Sequence, residues 1–133
     1  MTASAISEYR QTRTAGLNPG DDPHRTVLLL LQGAIERVRS ADAAIQQGAV
    51  QTKLTAIRQT LDILDVLRAS LDHQAGGPIA GGLDSLYEYV SQRLVQANAV
   101  NNREHLAEAA RLLSEIATAW AEVPARLGDQ AKA

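Results

Sequence analysis

Apolar residues recur at intervals of three and four within four long stretches, and most of the prolines and glycines fall outside those stretches. At about 100° per residue this spacing lines apolar side chains along one face of an α-helix. The pattern predicts four helices. Asp22 followed by Pro23 reads as an N-cap and a first helical position, where the missing proline N–H leaves no bond unmade. The first helix then runs to a stop at Gly48. The second spans residues 51–74 and closes at Gly76, Gly77 and Pro78; the third starts at Ile79 or Gly82 and reaches Val100. Either residue of the Asn101-Asn102 pair suits a left-handed C-cap, and Asn102 also suits the N-cap of a fourth helix ending near Val123, ahead of Pro124.

Each stretch has one continuous stripe. The seams expected are Val27, Leu31, Ala34, Val38, Ala41 and Ile45; Leu54, Ile57, Leu61, Leu64, Leu67 and Leu71; Ile79, Leu83, Leu86, Val90, Leu94 and Ala97; and Leu106, Ala109, Leu113, Ile116 and Trp120. Very short turns after the first and third helices force antiparallel neighbours. The expected fold is all-α, an antiparallel up-down four-helix bundle over residues 22–124, with a mobile N-terminal arm at 1–21 and a C-terminal tail at 125–133.

Apolar residues off these stripes carry the functional signal. Leu28 and Leu29 on the first helix, Ile63 and Val66 on the second, and Tyr89, Val95 and Val100 on the third all project away from the predicted seams. Singly, an exposed aliphatic is ordinary. Together they point to apolar grooves on the outside of the bundle, of the kind that receives an amphipathic helix. The arm adds Ile6, Tyr9 and Leu17, either as a detachable cover over such a groove or as incidental hydrophobes in a loose tail.

Composition narrows the chemistry. The 133 residues are 45% hydrophobic but only 3% aromatic, without phenylalanine, so the core is aliphatic. With no cysteine, disulfides and thiolate chemistry are excluded. A net charge of −2 provides no basic field for nucleic acid. The first ten residues lack the pattern of a secretory signal, and the apolar run at 27–31 is far short of the roughly 20 residues of a membrane span, so a soluble cytoplasmic protein is expected.

His24, His73 and His105 fall at predicted helix ends, where each is expected to be solvated. No Glu precedes a His by three residues, as a di-iron bundle requires, and the glycine-rich run at 76–82 lacks the Lys-Ser/Thr ending of a phosphate loop. No catalytic, metal or cofactor residue is expected, and the chain reads as a binding protein rather than an enzyme.

The order of several short motifs resembles the flagellin export chaperones of the FliS family over about residues 5–123. They are Tyr9, then Asp22-Pro23-His24-Arg25 and the run Val27-Leu28-Leu29-Leu30-Leu31-Gln32-Gly33-Ala34-Ile35, with Leu71-Asp72 closing the second helix. Gly76-Gly77-Pro78-Ile79-Ala80, Leu83, Leu86-Tyr87-Glu88-Tyr89-Val90, Leu94, Ala97-Asn98, Leu112-Leu113 and Ala119-Trp120 complete the series. The family usually carries an aromatic and an acidic residue where this chain has Leu31 and Gln32 before Gly33. The resemblance implies a cytoplasmic chaperone that binds the disordered C-terminal segment of flagellin, prevents premature polymerisation, and hands the subunit to the flagellar export gate without cofactor or metal. A helical adaptor using the same grooves for another protein client is the alternative, and a monomer is the oligomeric state favoured.

Overall fold

The computed structural model describes residues 22–123, which form α1 (Pro23–Gln47), α2 (Val50–Ala69), α3 (His73–Val100) and α4 (Arg103–Glu122). The expected arm at 1–21, with Ile6, Tyr9 and Leu17, and the tail at 125–133 lie outside the described residues.

The caps are set by local chemistry. The Asp22 carboxylate accepts from the His24 backbone N–H at 3.0 Å, and Pro23 occupies the first turn of α1. Gly48 ends that helix in the left-handed conformation at φ 69°, and Asn101 does the same for α3 at φ 54°. Asn102 then caps α4 by accepting from the His105 backbone N–H at 3.2 Å. Both turns read as very short are two residues long.

Between α2 and α3 the expectation is corrected. The second helix stops at Ala69, five residues before the predicted end, because Asp72 caps a new helix, its Oδ1 accepting from Gln74 N at 3.0 Å and Ala75 N at 2.9 Å. The break predicted at Gly76, Gly77 and Pro78 is present, but as a kink inside α3: Gly77 has φ 50° and ψ −128°, and Pro78 restarts the helix.

Packing is cyclic, α1 lying against α2 and α4, and α3 against the same two. Cross-links fix the directions. The start of α1 meets the end of α4 at His24 and Trp120, and its end meets the start of α4 where Arg103 bridges Asp42 at 2.7 Å. Lys53 Nζ at the start of α2 donates to Asn98 O (3.2 Å) and Asn101 Oδ1 (2.7 Å) at the end of α3, and Arg68 near the end of α2 bridges Asp84 at 2.8 Å. Each of these pairs is therefore antiparallel, as the short turns require of α1 with α2 and α3 with α4.

The seams of α1 and α4 are buried as read, except that Ile45 is only partly covered. Leu31, in place of the family's usual aromatic, is fully buried, so aliphatics fill that site. In α2 the buried arc is turned relative to the predicted stripe: Ala56, Thr60, Ile63, Leu64 and Leu67 are buried, while Leu54 and Leu61 are half-buried. Ile63 is thus corrected from surface to core. Because α2 packs against α1 on one side and α3 on the other, its inward arc is wide enough to include a residue about 100° from the stripe. In α3, Ala80, Tyr87, Val90, Leu94 and Ala97 turn inward, and the predicted seam residues Ile79, Leu83 and Leu86 do not.

Candidate functional site

Those three displaced residues line one side of an open groove of about 500 Å³ between α3 and α4. Ile79, Leu83 and Leu86 form the α3 wall, and Leu112, Ile116, Ala119 and Val123 form the α4 wall. Ala75, Gly76 and Trp120 belong to the same lining. Two doublets explain the geometry: Leu113 is fully buried while its neighbour Leu112 faces the groove, and buried Ala80 sits beside Ile79, which is 65% exposed. From Leu112 to Val123 the helix rises roughly 16 Å, three turns, enough for the i, i+3/i+4, i+7 anchors of one amphipathic helix. Glu115 is the single charged residue of the lining, and its carboxylate is held by Arg111 at 2.9 Å.

Trp120 ties this groove to the start of α1. Its indole N–H donates to the His24 carbonyl at 3.0 Å, and His24 Nε2 donates to the Trp120 carbonyl at 2.7 Å. The two rings stack with centroids 5.1 Å apart. His24 is therefore a buried partner of Trp120 rather than a solvated helix end; His73 is exposed and His105 half-buried. The consequence is positional: α1 starts next to a residue that lines the groove.

None of the described residues expected to bind a client lines this groove. Leu28 and Val66 are half-buried and packed against the core. Tyr89 is engaged in a polar cluster, its hydroxyl donating to Glu108 Oε2 at 2.8 Å and its ring lying 4.8 Å from the Arg93 guanidinium carbon. Leu29, Val95 and Val100 are exposed as expected, but on the surface outside the groove. Ile63 is in the core.

The groove residues carried a sequence signal that a single-stripe reading absorbs into the core. Along α3 the series Ile79, Leu83, Leu86 and the series Ala80, Tyr87, Leu94 are two apolar stripes side by side, and one helix face cannot bury both against two neighbours. The Leu112-Leu113 doublet marks the same surplus on α4.

Outside the groove lining, whose one charged residue is Glu115, ion pairs tie neighbouring helices together. The Arg68 guanidinium beside Asp84 holds that carboxyl below its ordinary value, and Arg103 does the same for Asp42. Burial pushes the Tyr87 phenol up. Among the described residues no group of acidic or histidine side chains is placed to hold a metal ion, and no helix is long and apolar enough to cross a membrane.

The family described as flagellar protein FliS matches residues 2–127. The chain is 37% identical over 116 residues to a flagellar secretion chaperone FliSB of Pseudomonas aeruginosa, covering 87% of this chain and 92% of the relative. It is 37% identical over 123 residues to flagellar secretion chaperone FliS of Salmonella typhimurium (92% and 91%), and 26% identical over 112 residues to that of Bacillus subtilis (84% and 80%). With nearly its whole length matched, the chain belongs to the FliS family of flagellar proteins.

Proposed function

We propose that this protein is a cytoplasmic flagellar export chaperone that binds the disordered C-terminal segment of flagellin, prevents its premature polymerisation and keeps it competent for export. The observation that carries this reading is the open apolar groove between α3 and α4, found in a chain whose relatives are flagellar secretion chaperones. A disordered client that folds as it binds offsets its ordering by burying apolar side chains along a long surface. The groove supplies one such seat, shaped for about three turns of helix. Leu29, Val95 and Val100 provide further exposed apolar contacts for a segment that wraps the bundle. Delivery follows from the same binding: the loaded chaperone carries its client to the export gate.

The arm fits the same scheme. Because α1 starts against Trp120, Ile6 and Tyr9 lie within chain reach of the groove and serve as its cover when no client is bound. Calorimetry with a peptide from the C-terminus of the cognate flagellin tests the proposal, and no heat of binding at micromolar peptide would refute it. Deleting residues 1–18 raises the peptide affinity if the arm competes; an unchanged affinity removes the arm from the scheme.

A further inference from the structure

The opening of α3, residues 73–82, differs from the rest of the bundle in its glycine and proline content and in how little of it is buried. Its ten residues include Gly76, Gly77, Gly81 and Gly82 together with Pro78. Gly77 leaves helical geometry, and Pro78 has no N–H to bridge the break. Gly81 and Gly82 have no positive φ, and a Cβ added to either meets nothing within 4 Å. Neither packing nor backbone conformation therefore requires glycine there, and in a helix glycine leaves the chain with the most freedom to lose.

Little tertiary packing compensates. Ala80 is the one buried side chain between residues 73 and 82, whereas Tyr87, Val90, Leu94 and Ala97 anchor the remainder of the same helix. The opening turn is held by the Asp72 cap and the Gly76 N–H to Asp72 O bond of 2.7 Å. Segments with few buried apolar contacts open locally at the smallest cost.

We propose that residues 78–82 are a movable wall of the groove, hinged at Gly77 and at Gly81-Gly82, which opens in the free chaperone and sets against the client when the groove fills. Ile79 is the contact that couples the two events. It is largely exposed in the free chain, and an apolar occupant buries it, giving the wall an anchor that Ala80 alone does not provide. The wall thus adjusts the groove to different apolar anchors. This coupling rests on the proposed client occupying the groove.

Amide hydrogen exchange on the full chain, free and with the flagellin C-terminal peptide, tests the proposal. In the free chain, the amides of residues 79–82 exchange at least tenfold faster than those of residues 87–97 of the same helix, and the peptide slows them by a similar factor. Equal protection of the two halves in the free chain overturns the wall, and so does bound peptide that leaves 79–82 unprotected. The Gly81→Ala, Gly82→Ala double variant has a higher thermal midpoint, slower free-state exchange and at least threefold slower peptide association; wild-type association kinetics in that variant contradict the hinge. If the peptide does not bind at all, the client assignment fails, and the exchange contrast in the free chain decides on the wall by itself.

Discussion

In the middle of α2, Ile63, Leu64 and Leu67 have no exposed surface, whereas at the start of α3 Ile79 is 65% exposed and Leu83 half-buried beside it. The side chains are of one chemical kind. What differs is how much of each flank the neighbouring helices cover. The middle of α2 is closed on one side by α1 and on the other by α3, while the outer flank of α3 meets only the edge of α4 and leaves the groove open. Hydrophobicity places a residue off the polar face; the positions of neighbours decide whether it holds the fold together or waits for a partner.

The sharpest way to break this comparison is to put the same charge at both isoleucines. Ile63→Asp buries a carboxylate without a partner and destabilises the bundle by roughly 4 kcal/mol, read as a collapsed thermal melt. A melt close to wild type would return Ile63 to the surface. Ile79→Asp should move stability by no more than about 0.5 kcal/mol, as surface changes do, while weakening flagellin-peptide binding at least tenfold, the scale of about 1.5 kcal/mol of lost apolar burial. Wild-type affinity in that variant would exclude the groove as the seat.

Trp120 belongs to both regions, buried at the end of the core and lining the groove. Trp120→Phe retains most of the apolar contact but removes the indole donor to the His24 carbonyl, a loss of about 1 kcal/mol in urea denaturation. No loss would mean that the bond contributes nothing net.

The smallest effect is electrostatic. Asp42 and Asp84 are held below their usual 3.8 by Arg103 and Arg68. The folded chain therefore binds these protons less readily than the unfolded one, and their contribution is complete above the unfolded value and lost as pH falls through the folded values. Asp84→Asn should flatten the fall in melting temperature below pH 4 slightly; an unchanged acid limb would show the Arg68 pair to be inert.

The legible part of the molecule was the part governed by local rules. Asp22-Pro23, Gly48 and the two asparagines announced their caps, and the α1 and α4 seams followed from spacing because each has one dominant stripe. The end of α2 is not legible from spacing alone, because Asp72 fits a continuing second helix as well as the cap of the next one. The groove is hidden from the sequence for a tertiary reason. Two adjacent stripes on α3 are equivalent in sequence, and only the rotation of the helix against α2 and α4 determines that Tyr87 goes in and Ile79 stays out. The burial of Ile63 escapes the spacing through the same ambiguity in mirror image.

The stacked pair at the head of α1 has a practical consequence. Trp120 is the only tryptophan in the chain, and it sits where an aromatic ring, a backbone carbonyl and the groove all converge. The protein thus carries its own optical probe. Its emission, followed without any label while a tryptophan-free peptide is titrated in, reports the polarity at the end of the groove directly, and the quenching imidazole beside it reports whether the start of α1 has stayed in place.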